Sequence, residues 1–191
     1  MPSRPLTILS TALVLLAAAI PSQAGLIVNL TFRGSGMDGT TPYTISGTLT
    51  GTLSAPGQLS ITSGTGVFIE GLNAPEDLTI YPNPSDPNQA TSPLGAFWYN
   101  DLLYLAQDPQ LDVNGLLFTF TSDGAPAEMN VWGNGTPGSY TIYTYINGAY
   151  VLQDVSAQFE ALPVPEPWTM AMMGAGLFTL GALLRLRKRT Q

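Results

Sequence analysis

The sequence predicts an all-β protein whose central part is an antiparallel two-sheet sandwich of about nine or ten short strands. Apolar and polar side chains alternate along the strand candidates, and Gly- and Pro-rich joints separate one candidate from the next. No window of the central part has apolar residues at the spacing of an amphipathic helix. A signal helix and a transmembrane helix are expected to flank the sandwich at its N- and C-terminal sides.

The N-terminal segment has the three parts of a secretory signal peptide. Arg4 and the amino terminus supply positive charge, residues 6–20 form an apolar core, and small residues at Ser22 and Ala24 precede a cleavage point. Signal peptidase is therefore expected to cut between Ala24 and Gly25 and to remove residues 1–24. The alternative, an N-terminal membrane helix, is disfavoured because the apolar core is short and Pro21 interrupts it.

The first two strand candidates show the clearest alternation. One face of each is apolar: Leu26, Val28, Leu30 and Phe32 in the first, and Tyr43, Ile45, Leu49 and Leu53 in the second. A period of two residues is typical of a half-buried strand. Gly47 and Gly51 fall on the inward face, where a bulge or the close approach of a second sheet would accommodate them.

Two Asn-Gly pairs predict hairpin turns. Asn147-Gly148 is expected to join strands 140–146 and 149–159, which places Tyr145 opposite Tyr150 and Tyr143 opposite Leu152. Asn114-Gly115 is expected to join a strand near Leu111 to residues 116–121. Further strand candidates lie at residues 58–62, 66–70, 78–81, 96–105 and 127–132. The sandwich domain is therefore predicted over residues 25–160, followed by a Pro-rich linker over 161–167.

Composition excludes several kinds of chemistry. The chain has no Cys and no His, so disulfides, thiolate nucleophiles, Cys/His zinc sites and imidazole bases are impossible. Glu76-Asp77, or Asp101 with Asp108, could supply a carboxylate pair for glycoside hydrolysis, but nothing in the sequence sets the required separation. We therefore predict no catalytic residue and no enzyme activity.

Charge is distributed unevenly along the chain. Arg33 is the only basic residue between Gly25 and Leu162, against twelve acidic residues in the same range. Nucleic acid is consequently not expected as a partner, because a strongly acidic surface repels phosphate. The acidic residues are scattered, which is typical of a solubilising surface.

Two groups of side chains in the central part are candidate binding residues. Asp108, Asp112 and Asn114 offer oxygen ligands for calcium in one loop, although the same pattern is typical of a hairpin turn. No other cofactor is expected. Trp98, Tyr99 and Trp132 could stack on sugar rings, although aromatic residues at alternating strand positions more often form core or cross-strand pairs.

The C-terminal segment carries a sorting tail in three parts. Pro165, Glu166 and Pro167 are followed by an apolar run rich in Gly, and the run is followed by the basic residues Arg185, Arg187, Lys188 and Arg189. The apolar run predicts a transmembrane helix, and the basic cluster predicts a cytoplasmic stop. Residues 168–191 therefore form the predicted membrane helix and basic tail.

This tail resembles the PEP-CTERM sorting signal of Gram-negative bacteria. The resemblance implies recognition by an exosortase, a membrane enzyme that removes the tail near Pro165-Glu166-Pro167. It also implies a precursor held transiently in the inner membrane and a mature form at the outer surface or in the exopolysaccharide matrix. The alternative is an ordinary C-terminal anchor in which Trp168 is an interfacial aromatic residue.

These expectations favour a secreted, exosortase-processed protein of the cell surface or biofilm matrix with a non-catalytic structural or adhesive role. The alternative is a carbohydrate-binding module that binds exopolysaccharide, which requires exposed aromatic side chains.

Overall fold

A computed structural model describes residues 26–84 and 88–164, and every regular element in these two ranges is a strand. The strands are β1 (Ile27–Asp38), β2 (Thr41–Ala55), β3 (Gln58–Glu70), β4 (Glu76–Ile80), β5 (Ala90–Thr91), β6 (Trp98–Tyr99), β7 (Leu102–Tyr104), β8 (Leu116–Ser122), β9 (Ala125–Gly133), β10 (Tyr140–Ile146) and β11 (Ala149–Pro163). Within these ranges no helix is long and apolar enough to cross a membrane. The predicted signal peptide, Ala24 and Gly25, and the tail from Pro165 onward lie outside the described residues.

Eight of the strands close into an antiparallel barrel in the order β1, β2, β3, β4, β8, β9, β10 and β11, and β11 pairs with β1 to complete the ring. The prediction of an all-β fold is confirmed, but the prediction of a two-sheet sandwich is wrong. A sandwich would leave edge strands, whereas every barrel strand here has a partner on both sides. Alternation along a strand cannot distinguish the two folds, because each of them buries one face of every strand.

The barrel interior holds the main core. Along each barrel strand, inward-facing core residues alternate with outward-facing ones. In β1 the predicted inward residues Leu30 and Phe32 are buried. Leu26, which the sequence also placed on this face, precedes the strand and is exposed. The Phe32 ring packs between the rings of Phe118 and Phe159, with centroid distances of 5.3 and 6.0 Å. These contacts join β1, β8 and β11 through the interior, which an open sheet could not do.

Gly47 allows the Phe32 ring to pack against the barrel wall. A Cβ atom at position 47 would lie 2.1 Å from the Thr65 carbonyl oxygen and 2.8 Å from Cε1 of Phe32. At Gly51 the pairing of β2 with β3 shifts register, between Thr50 and Gly51. The predicted irregularity is therefore present at Gly51, whereas the close contact at Gly47 is with the paired strand β3 and with Phe32 rather than with a second sheet.

A long insertion, residues 81–115, separates β4 from β8. Its first half contains the β5–β6 pair and lies on the outer face of the barrel, where Phe97 and Tyr99 pack against Leu117 of β8. Its second half contains β7, which pairs with the start of β3. Leu103 and Leu111 from this half belong to the interior core. The insertion therefore covers part of the outer face of the barrel and also contributes side chains to its interior core.

The Asn147-Gly148 hairpin is confirmed, with φ values of 52° and 85°, and Tyr145 lies opposite Tyr150 as predicted. Tyr143 lies opposite Gln153 rather than Leu152, because the register shifts between Thr144 and Tyr145. The predicted Asn114-Gly115 hairpin is wrong. Leu111 instead forms a bridge with Leu103, and β8 turns into β9 through Asp123-Gly124, with φ values of 50° and 81°.

Strand β11 extends beyond the predicted domain boundary at residue 160. It continues to Pro163, and Ala161, Leu162 and Pro163 pair with Phe32, Thr31 and Leu30 of β1. Ala161 is fully buried. The first three residues of the predicted linker are consequently part of the barrel, because they pair with β1 where the ring closes.

Candidate functional site

The residues predicted to bind calcium have other hydrogen-bond roles. Asp112 Oδ1 accepts hydrogen bonds from the backbone N–H groups of Asn114 and Gly115, at 2.9 and 3.1 Å, and its Oδ2 accepts one from Asn100 Nδ2 at 2.7 Å. Asp108 Oδ1 instead accepts a hydrogen bond from Gly138 N at 2.6 Å. Asp112 and Asn114 therefore share one turn, while Asp108 fixes a different loop.

No group of three or more His, Cys, Asp or Glu side chains suited to a metal ion occurs in residues 26–84 and 88–164. The carboxylates of Asp108 and Asp112 are already hydrogen-bonded, which is the arrangement expected of turn-stabilising residues. Calcium binding at this loop stays a prediction.

The three predicted stacking residues fall into three different environments. Trp98 is 60% exposed, whereas Tyr99 is completely buried in the core between the insertion and the barrel. Trp132 is half-buried, and its ring meets the ring of Tyr143 edge to face at a centroid distance of 5.0 Å. Tyr99 is therefore closed to an external ligand, while Trp98 and Trp132 retain accessible surface.

A continuous set of aromatic rings lies on the outer side of β9–β11. Tyr143 and Tyr145 are the outward residues of β10, and both contact Tyr150 edge to face, at 5.9 and 5.1 Å. Phe97 of the insertion contacts Tyr150 at 5.7 Å. The Tyr150 hydroxyl donates a hydrogen bond to the Ala96 carbonyl oxygen at 2.8 Å, which ties the ring to the insertion. We call Trp132, Tyr143, Tyr145 and Tyr150 the outer aromatic patch.

Two of the clefts on the barrel are lined by residues within 26–84 and 88–164. The larger, about 740 Å³, lies beside the Arg33–Glu160 ion pair, whose guanidinium nitrogen Nη2 is 2.5 Å from the carboxylate oxygen Oε2. Gln110 lines this cleft and brackets the backbone of Ala161: its Oε1 accepts from Ala161 N at 2.7 Å and its Nε2 donates to Ala161 O at 2.9 Å. The Gln110 carboxamide thereby makes the two hydrogen bonds with Ala161 that the backbone of a neighbouring strand would otherwise make.

The smaller cleft, about 450 Å³, lies at the barrel end formed by the β1–β2, β3–β4, β8–β9 and β10–β11 connections. Four acidic residues line it, Asp38, Glu70, Glu76 and Asp123, which we call the acidic mouth. Partial burial raises the pKa of the Glu70 carboxyl above its usual value, and the charge of Asp38, a hydrogen bond with Asp38 and the charge of Glu76 raise that pKa further. The mouth therefore makes the charged form of Glu70 less favourable than it is for an exposed carboxyl.

Sequence reasoning did not single out Gln110, Glu128 or Asn130. Glu128 and Asn130 are outward-facing residues of β9 that the insertion covers almost completely. Polar residues alternating with Ala127, Met129 and Val131 are typical of a solvated strand face, so the sequence carries no sign that another segment buries them.

No family model, curated protein or solved structure matches this chain. The function must therefore be inferred from the residues themselves.

Proposed function

We propose that this chain is an exported, non-catalytic module of the bacterial cell surface or exopolysaccharide matrix, delivered through its C-terminal sorting tail. The observation that carries the proposal is the order of three elements in the tail: Pro165-Glu166-Pro167, the apolar run, and the cluster from Arg185 to Arg189. A membrane helix and a positive cytoplasmic stop do not require the Pro-Glu-Pro element, but recognition by an exosortase does, as the resemblance implies.

The hydrogen bonds of the barrel support the non-catalytic part of the proposal. A general base needs a pKa near the working pH and a free lone pair aimed at a substrate. Asp108 and Asp112 instead accept backbone N–H groups, and Asp154 accepts bonds from Met37 N, Tyr43 Oη, Ser156 N and Ser156 Oγ. These carboxylates have a structural use that accounts for their positions.

Surface delivery tests this proposal. The full chain, a Glu166→Ala variant and a variant lacking residues 168–191 would be expressed in an exosortase-containing host, and surface protein would be measured by protease shaving of intact cells. We expect both variants to lose surface exposure, and an Asp108→Asn control to keep it. Normal surface exposure of both tail variants would refute the proposal.

A second candidate function, carbohydrate binding, is favoured by the outer aromatic patch. Tyr150 is 44% exposed, and its neighbours Tyr143, Tyr145 and Trp132 are half-buried. Their edge-to-face contacts fix the rings at low entropic cost, and Tyr and Trp provide both an apolar face and a hydrogen-bonding group. A neutral or weakly charged polysaccharide suits this surface better than an anionic one, since acidic residues greatly outnumber the single Arg33.

Affinity electrophoresis in gels containing host exopolysaccharide would test this second function. Tyr150→Ala and Trp132→Ala should restore mobility toward that seen without polysaccharide. Tyr81→Ala is the matched control, because Tyr81 is 39% exposed but contacts only Tyr99 among the aromatic pairs of the described residues. Equal retardation of wild type and the Tyr150 and Trp132 variants would exclude the patch as a glycan surface.

A further inference from the structure

Two polar side chains lie buried between the barrel and its insertion. Glu128 and Asn130 stand two residues apart on the outer face of β9 and are only 1% and 3% exposed. Both hold the insertion: Glu128 Oε1 accepts a hydrogen bond from Leu94 N at 2.7 Å, and Asn130 Nδ2 donates to the carbonyl oxygens of Trp98 and Asn114 at 3.0 and 3.1 Å.

One oxygen of each side chain lacks a hydrogen-bond partner among the described residues. These atoms are Glu128 Oε2 and Asn130 Oδ1, and both are shielded from solvent. Burying a polar group without a partner costs roughly 1–3 kcal/mol, and more when the group is charged. An ionised carboxylate and a carboxamide oxygen are both acceptors, so they cannot satisfy each other. A shared donor or a cation would satisfy both.

The charge of this region favours a cation. Asp101, which is completely buried, accepts a hydrogen bond from Leu117 N at 3.2 Å, and Leu117 lies directly opposite Asn130 in the β8–β9 ladder. Burial, followed by the charges of Asp101, Tyr81 and Glu128, raises the pKa of Tyr99 to about 12. The carboxylates of Asp101 and Glu128 therefore both raise the pKa of the Tyr99 hydroxyl.

No basic side chain of the described residues compensates the Glu128 carboxylate. Arg33 is the only Lys or Arg in residues 26–164, and its guanidinium is held by Glu160, at 2.5 Å from the carboxylate, on the outer side of β1 and β11. A buried carboxylate without a protein cation is expected either to be protonated or to bind a metal ion.

We propose that Glu128 Oε2 and Asn130 Oδ1 bind Ca²⁺ between β9 and the insertion, with Asp101 supplying a second negative charge nearby. Calcium prefers a mixture of carboxylate, carboxamide and backbone carbonyl oxygens. The Trp98 and Asn114 carbonyl oxygens, which accept hydrogen bonds from Asn130 Nδ2, are the candidate backbone ligands. The site takes its side-chain ligands from β9 rather than from Asp108 and Asp112, and it goes beyond the surface role proposed above.

Binding here would have a mechanical consequence. The ion would connect β9 to the segment that carries Phe97 and Trp98, because Glu128 and Asn130 already contact Leu94 and Trp98 of that segment. Calcium would therefore fix the insertion on the barrel and increase the thermal stability of the folded state by mass action.

The test uses the full chain after treatment with EGTA, titrated with Ca²⁺ alone while the melting temperature is recorded, and with Tb³⁺ alone while its sensitised luminescence is recorded. We expect Ca²⁺ to raise the melting temperature of the wild type, and the nearby Tyr99 and Trp98 to sensitise Tb³⁺ emission. Glu128→Gln, which keeps the shape and removes the charge, should weaken Ca²⁺ binding at least about 10-fold.

Asp108→Asn is the matched control and should retain wild-type Ca²⁺ binding, because Asp108 belongs to the other loop. A wild-type melting temperature that does not respond to Ca²⁺ would overturn the proposal, even if Glu128→Gln fails to fold. Loss of binding in Asp108→Asn with retention in Glu128→Gln would assign calcium to the loop instead.

Discussion

The Tyr43 hydroxyl donates a hydrogen bond to Asp154 Oδ2 across the barrel interior, with an oxygen–oxygen distance of 2.9 Å. Met37 N donates to the same oxygen at 2.9 Å, and Ser156 donates to Oδ1 through its backbone N–H and its hydroxyl, at 2.8 and 2.9 Å. Burial alone would raise the pKa of Asp154, but the hydrogen bonds from Ser156, Met37 and Tyr43 lower it below its usual value. The folded barrel therefore stabilises the charged carboxylate.

Stability should fall at acid pH because of Asp154. A depressed folded-state pKa contributes stability that is complete above the unfolded-state value of ~3.9 and is lost as the pH falls through the folded-state value. Asp154→Asn should lower the free energy of unfolding at pH 7 by about 1.5–3 kcal/mol, since hydrogen bonds to a charged acceptor are lost. Urea denaturation between pH 7 and pH 3 measures this difference. A difference that stays constant down to pH 3 would contradict the assignment to Asp154.

The contribution of the acidic mouth to the free energy of unfolding should have the opposite pH dependence to that of Asp154. Glu70 has a raised folded-state pKa, so its contribution to stability is present below the unfolded-state value and is lost as the pH rises through the folded-state value. Glu70→Gln should therefore stabilise the barrel at pH 7 and have little effect near pH 4. Thermal melts at the two pH values check this, with Asp77→Asn as the control because Asp77 is exposed on β4, outside the mouth. Destabilisation of Glu70→Gln at pH 7 would be inconsistent with charge repulsion at the mouth.

Substitution of Gly47 by a larger residue should destabilise the packing of the barrel interior. A Cβ atom there would lie 2.1 Å from the Thr65 carbonyl oxygen, a backbone atom that can move only with its strand. We expect Gly47→Ala to lower the free energy of unfolding by about 1–3 kcal/mol, as overpacked cores do. Thr48→Ala at the neighbouring exposed position is the control. If both variants have the same denaturation midpoint, the contact between Gly47 and β3 is not as tight as the structure indicates.

The two hydrogen bonds between the Gln110 side chain and the Ala161 backbone should slow hydrogen exchange at the end of β11. Gln110→Ala leaves the backbone N–H and C=O of Ala161 without their side-chain partner, at an expected cost of about 1–3 kcal/mol. Hydrogen exchange at the Ala161 amide should become faster, while exchange in the β8–β9 hairpin should not change. Gln110→Glu keeps the acceptor and loses the donor, so it should restore protection of the Ala161 amide in part. Unchanged exchange at Ala161 in Gln110→Ala would exclude this role.

The sequence predicted local features better than their assembly. Alternation identified the inward faces of β1 and β2, and Asn147-Gly148 identified the β10–β11 hairpin, because both signals depend on neighbouring residues only. Closure of the barrel depends on the pairing of β11 with β1, where Phe159 lies opposite Gly34. Such a pairing between distant parts of the chain leaves no local pattern.

The candidate sites were harder to predict for the same reason. Tyr99 and Trp98 are neighbours in sequence, yet one is buried and the other is exposed, since the insertion folds back onto β8 and β9. Glu128 and Asn130 have the alternation of a solvated strand face and become buried only when that insertion covers them. The turn role of Asp112 was an open alternative in the sequence, because an Asp before Asn-Gly is typical of a turn.

The most direct test of the central claim, delivery through the sorting tail, is the intact mass of the protein from hosts with and without an exosortase. We expect a released protein that ends near residues 164–168 in the first host and a membrane-bound protein that keeps its tail in the second. A released protein that still carries the residues from Arg185 to Arg189 would contradict it.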